Sequence, residues 1–218
     1  MTKIELVIFD CDGVLVDSEP LSAMAHNTVY ERHGAKIGPG VFDGCIGMKQ
    51  ADIIDLIEKR TGLRLPAAHV HEIWEETRRL LDEQLKPTLG ILPFLQTLEK
   101  ARCVASSSSL ERIHRSLNMT GLAPYFLEKN VFSSSMVKRG KPEPDLFLFA
   151  AHQCNIAPQH CIVIEDSQYG VRGAIAAGMQ VIGYAGGSHF TKAMAEGLKN
   201  SGASRIFESW AEVKANII

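Results

Sequence analysis

The sequence predicts an α/β protein: a parallel sheet with helices on both faces, interrupted after its first strand by an inserted bundle of helices. Three observations predict it. After Lys86-Pro87 the chain alternates short apolar strands with helical stretches. From about Ser18 to Leu85 apolar residues instead recur at helical spacing. The first strand stops at a pair of acids, Asp10 and Asp12, followed by Gly13. Ligands of open α/β sheets bind at such carboxyl ends.

In chain order, residues 4–9 form the first strand. Leu21, Met24, Ala25, Thr28 and Val29 share one face of a helix that Ser18 caps, Glu19-Pro20 opens and Gly34 stops. Ile53, Leu56 and Ile57 mark a second helix, closed by Thr61-Gly62. Val70, Ile73, Trp74, Thr77, Leu80 and Leu81 mark a third. Their stripes must bury against one another, which makes a small bundle. Strands follow at 102–106, 130–133, 161–165 and 180–184, with a last one near 205–207. Helices fall around 93–100, 110–118, 145–154, 168–177 and 191–200. Trp74 and Trp210 lie on apolar helical faces and are expected to pack in cores.

Composition narrows the function. The chain has 218 residues, a formal net charge of −2 and no block of like charges. Neither a nucleic-acid groove nor a polybasic membrane patch is expected. No apolar stretch approaches the roughly 20 residues that span a bilayer. The five cysteines, Cys11, Cys45, Cys103, Cys154 and Cys161, have no paired spacing, which fits a reducing cytoplasm and a role as small buried hydrophobes. A mobile insert and no evident apolar surface stripe predict a monomer.

The chemistry-bearing residues sit at successive strand ends. Asp10 and Asp12 would point the same way if strand geometry continued, and their repulsion calls for a cation or a shared proton. Val104-Ala105 runs into Ser106, Ser107, Ser108 and Ser109, whose hydroxyls and free N–H groups suit an anion; alone, the run would be a Ser-rich helix cap. Lys141, between Gly140 and Pro142, could neutralise a phosphate; alone, it would be an ordinary surface lysine. Glu165 and Asp166 end a buried strand, before Ser167 and a helix bearing Gly170 and Gly173. Oxygen ligands of this kind suit Mg2+. Together the groups define a phosphate site. His189, after Gly186-Gly187-Ser188, is expected at the surface.

These motifs, Asp10-Cys-Asp12-Gly13-Val, Ser106, Lys141-Pro142 and Glu165-Asp166-Ser167, resemble the haloacid dehalogenase superfamily in its phosphatase branch. The resemblance covers nearly the whole chain. It implies a Rossmann-like core at 1–15 and 87–218, with a small helical cap at 16–86, as in sugar-phosphate phosphatases and β-phosphoglucomutases. It further implies that Asp10 attacks phosphorus, that Asp12 is the general acid and base, and that Lys141 and Ser106 hold the phosphoryl group. Mg2+ would be held by Asp10, the backbone carbonyl of Asp12, Asp166 and Glu165, the last directly or through water. Ser107, Glu19 and Lys49 would contact the substrate, a small phosphorylated metabolite such as a sugar phosphate or a sugar acid like 6-phosphogluconate. The second acid and metal ligands set the chain apart from dehalogenases. Ser22 and Gln50 stand where the mutases carry a His and an Arg, which favours hydrolysis over a hexose-phosphate mutase. A phospho-accepting switch is the non-catalytic alternative.

Overall fold

The computed structural model describes residues 3–38, 40–42, 45, 48 and 50–217. Six strands, β1 (Leu6–Phe9), β2 (Ala101–Ser106), β3 (Val131–Ser133), β4 (Cys161–Glu165), β5 (Gln180–Tyr184) and β6 (Arg205–Phe207), form one parallel sheet in the order β3-β2-β1-β4-β5-β6. The order reverses between β1 and β4, which is where an open sheet of this kind leaves a crevice.

Alternation along the strands builds two cores. Val7 and Phe9 face one side, with Val104, Ile164 and Tyr184. There they meet α4 (Ile91–Thr97), α5 (Leu110–Met119) and α9 (Trp210–Ile217). Leu6 and Ile8 face the other side, against α6 (Asp145–Gln153), α7 (Gln168–Ala176) and α8 (Lys192–Asn200). Burial on both faces explains why the strands read as continuous apolar runs. Each fully buried Leu, Ile or Phe contributes about 1.5–3 kcal/mol.

Between β1 and α4 lie α1 (Glu19–Arg32), α2 (Gln50–Thr61) and α3 (Val70–Gln84). They bury their own apolar residues: Val29, Tyr30, Ile54, Ile57 and Ile73 in one cluster, and Leu21, Ala25, Leu80 and Leu81 in another. The two connections to the sheet run side by side. Val16 bridges Pro87, Asp17 N–H donates to Lys86 O at 2.9 Å, and Thr88 N–H donates to Leu15 O at 3.0 Å. Thr88 Oγ1 donates to Val14 O at 2.6 Å and accepts from Trp210 Nε1 at 2.9 Å.

Details depart from the sequence expectation for physical reasons. Ser18 precedes α1 but makes no side-chain cap, because its hydroxyl donates to Asp12 Oδ1 at 2.7 Å. Met24 is exposed, and His26 and Tyr30 take its place on the buried face. Helix α4 starts at Ile91, after Gly90 turns the chain at φ +90°, and ends before residue 98. Trp74 is 43% exposed rather than in a core, whereas Trp210 is buried, stacked on Tyr184 at 4.5 Å. Cys11, Cys103, Cys154 and Cys161 are free thiols, and every cysteine but Cys154 is buried.

Candidate active site

Strand register brings the acids together. Phe9 pairs with Val104 on β2 and with Ile164 on β4, so Asp10, Ser106 and Glu165 leave the sheet at nearly one level. Asp10 N–H donates to Ile164 O at 3.0 Å, which extends the pairing by one residue. The chain then turns at Gly13, whose φ is +76°. A Cβ there would lie 1.8 Å from Asp166 Oδ2, so glycine is required both for the turn and for the close approach of β4's end.

Lys141, in the loop before α6, ties two acids together. Its Nζ donates to Asp10 Oδ1 at 2.7 Å and to Glu165 Oε1 at 2.5 Å, and its side chain is only 2% exposed. Read alone, this residue was an ordinary surface lysine; a buried cation between two carboxylates is the opposite. Burial alone would pull the ammonium down, but Asp10 and Glu165 outweigh it and hold Lys141 above the usual lysine range. Burial, with Glu165 and Asp166 nearby, lifts the Asp10 carboxyl well above its ordinary value despite the lysine.

Asp12 faces a different set of partners. Ser18 Oγ and Arg112 Nη2 donate to its Oδ1 at 2.7 and 2.8 Å, and Ser108 Oγ donates to its Oδ2 at 2.6 Å. Burial would raise its carboxyl, yet Arg112, then Ser108 and Ser18, hold it below the usual range. The two acids predicted to share one partner are therefore divided. The strand ends at Phe9, and Asp10 and Asp12 sit in different hydrogen-bond sets.

Asp10, Glu165 and Asp166 each offer a carboxylate oxygen within 4.8 Å of the others. Glu165 spends its oxygens on Lys141 and on the hydroxyl and N–H of Ser167. Both Asp166 oxygens are buried with no hydrogen-bond partner among the described residues. Burial first, with Glu165 adding, pushes Asp166 up to about 6. An all-oxygen donor set with unspent buried lone pairs fits a hard divalent cation such as Mg2+. Asp10 and Asp166 have the means to hold it directly, whereas Glu165 is engaged by Lys141 and Ser167.

Asp10, Asp12 and Asp166 line a cavity of about 530 Å³. Ser106, Ser107, Ser108 and Ser109 form its wall on the β2 side, where Ser106 Oγ accepts from Ser108 N–H and Ser109 caps α5 by accepting from Arg112 N–H. Glu19, Ser22, His26, Gln50, Trp74 and Thr77 close it from the helical side. Glu19 is lifted to about 7 by burial and by the charges of Asp166 and Asp12. Trp74 is thus cavity wall, which accounts for its exposure. Lys49, the expected cation here, lies outside the described residues.

Two residues escaped the sequence reading. Arg112 lies in the first turn of α5, where the helix dipole disfavours a cation; that misfit was the available signal. His189, expected at the surface, is 9% exposed, with Nε2 3.5 Å from Asp166 Oδ2 and Nδ1 3.9 Å from Asp17 Oδ1. Burial would lower its imidazole, but contact with Asp166 and Asp17 raises it to about 9.

A parallel α/β sheet with acids, a buried lysine and a serine-lined wall at its carboxyl edge fits a protein that handles phosphoryl groups. Residues 4–178 match the model of the haloacid dehalogenase-like hydrolase family. The chain is 32% identical to 6-phosphogluconate phosphatase of Escherichia coli, over 87% of this chain and 86% of that protein. It is 31% identical to the phosphorylated carbohydrates phosphatase of Thermotoga maritima, over 82% of this chain and 83% of that one. A conserved haloacid dehalogenase-like protein of unknown function from Agrobacterium tumefaciens superposes with a TM-score of 0.90 at 34% identity, over 98% of this chain and 97% of that one. The chain belongs to the haloacid dehalogenase-like hydrolase family and is an enzyme of its phosphatase branch.

Proposed function

We propose that this enzyme is a Mg2+-dependent phosphatase of phosphorylated sugars and sugar acids, with Asp10 as nucleophile. One observation carries the reading: Asp10, Lys141 and Asp166 line one cavity, Glu165 is buried beside Lys141, and the serines 106–109 form the wall on the β2 side. The substrate class rests on the named activities of the relatives and on Arg112, a second cation lining the cavity.

An oxygen of Asp10 attacks phosphorus as the bond to the sugar oxygen breaks, and Asp12 gives that oxygen its proton. Asp12 then takes a proton from water, whose oxygen attacks the phosphoryl group on Asp10. Inorganic phosphate leaves and Asp10 is restored. Lys141 neutralises charge on Asp10 and on the transferred oxygens, while Ser106, Ser107 and neighbouring N–H groups keep the group in line. A divalent ion would be held by Asp10, the Asp12 carbonyl and Asp166, with Glu165 directly or through water, and would supply the charge that lets a carboxylate approach a phosphate. Ionised Asp12 suits the second step. The first needs it protonated, so its contact with Arg112 loosens as substrate enters.

The reading includes a core at 1–15 and 87–218 and a cap at 16–86 whose Glu19 meets the substrate, in a cytoplasmic monomer. Phosphate release from sugar phosphates and sugar-acid phosphates, with and without Mg2+, tests it. Asp10→Asn and chelator should each abolish turnover, and Mg2+ should restore the chelated enzyme. Full activity in chelator refutes the reading. A long-lived phosphoryl group on Asp10 with negligible turnover would instead favour the phospho-accepting switch.

A further inference from the structure

A second convergence of ligand-type atoms lies at the far end of the helical segment. Helix α1 has 14 residues, which puts its last turn about 20 Å from Glu19 at its start. His33 follows that last turn, His69 precedes α3, and Glu72 lies in the first turn of α3. The two imidazoles stack, with centroids 3.8 Å apart and planes at 31°. His33 Nε2 stands 3.0 Å from Glu72 Oε1, and His69 Nδ1 stands 2.7 Å from the same oxygen. All three atoms lie within 4.8 Å of one another. Two stacked rings that aim nitrogens at one oxygen repel if both are protonated. Unprotonated, both can present lone pairs to one point beside a carboxylate.

We propose that His33, His69 and Glu72 form a binding site for a divalent transition-metal ion, zinc foremost. Two imidazole nitrogens and a carboxylate oxygen are a zinc donor set, with water completing the tetrahedron. The set is chemically distinct from the all-oxygen acids at Asp10, which suit Mg2+. The side chains are 26%, 37% and 20% exposed, so an ion can enter without unfolding the segment. Arg32 Nη1 is 3.7 Å from Glu72 Oε2, on the oxygen that the imidazoles share least, and its Nη2 is engaged by Glu76 at 3.1 Å. A bound ion would clip the end of α1 to the start of α3.

The test uses the full chain, stripped with chelator and then held in excess Mg2+ so that the acids at Asp10 are filled. Zn2+ is titrated by calorimetry, and Co2+ by its visible d–d absorption. The expected result is one equivalent bound, affinity weakened at least about tenfold in His33→Gln and in His69→Gln, and unchanged turnover in Mg2+. Zn2+ should also raise the melting temperature of the starting protein but not of the variants. Should a histidine variant melt early without metal, Glu72→Gln decides the matter by the same tenfold criterion. No Zn2+ uptake in excess Mg2+, or equal uptake by the variants, overturns the proposal. Neither outcome touches the phosphatase reading, which stands or falls at Asp10.

Discussion

Replacing Lys141 with methionine keeps the side-chain length and removes the charge between Asp10 and Glu165. At 2.7 Å and an effective dielectric near 20, the attraction to Asp10 alone is about 6 kcal/mol before desolvation is counted. Removing one partner of a buried pair leaves a net cost of about 3–5 kcal/mol. For a chain of 218 residues that is a fall in melting temperature of roughly 6–20 °C. The deficit should depend on pH. The Asp10 carboxyl already sits above its ordinary value, and without the lysine it rises further. An acid raised in the folded state favours folding at low pH, and that benefit is lost as pH rises through the raised value. The variant should therefore come closest to the parent near pH 5 and fall furthest behind at pH 8. The assay is thermal and urea unfolding of both proteins in chelator at the two pH values. A deficit below about 1 kcal/mol at pH 8, or one that does not change with pH, would refute the reasoning.

Arg112→Gln removes the cation that holds Asp12 below the usual carboxylate range, so the Asp12 carboxyl should rise. The alkaline limb of kcat/KM should then move to higher pH for alkyl phosphates, whose leaving group needs the proton. It should not move for p-nitrophenyl phosphate, whose leaving group does not. Gly170→Ala would put a Cβ 1.9 Å from Glu165 Cδ, against a side chain already pinned by Lys141 and Ser167. The Mg2+ concentration for half-maximal activity should rise about tenfold or more, and thermal unfolding should show a loss of about 1–3 kcal/mol.

What was legible in the sequence follows from what local pattern encodes. The strands at 161–165 and 180–184 were placed to the residue, because buried parallel strands leave unbroken apolar runs bounded by turn residues. The acids at positions 10, 165 and 166 were legible because charge at the end of such a run has no bland explanation. Arg112 and His189 were not legible. Each acquires its meaning from a residue far away in sequence: Arg112 from Asp12, 100 positions earlier, and His189 from Asp17 and Asp166. The side-chain direction of Ser18 was lost for the same reason, since a helix cap and a bond to Asp12 look alike in one dimension. Trp74 shows the complementary failure. Helical spacing fixes a face, but not whether that face meets a core or an open cavity.

The paired crossing at Val16 and Pro87 has a consequence for how this enzyme can diversify. The whole excursion departs and returns through one doorway, and that doorway is bolted to the far side of the sheet by Thr88 and Trp210. Asp10 and Glu165, tied to the sheet and to Lys141, keep their footing whatever happens in α2 and α3, while Ser18 carries a contact from the threshold back to Asp12. On the proposed reading, in which the segment 16–86 meets the substrate, selectivity can be rewritten in one territory while the reaction is inherited intact in the other.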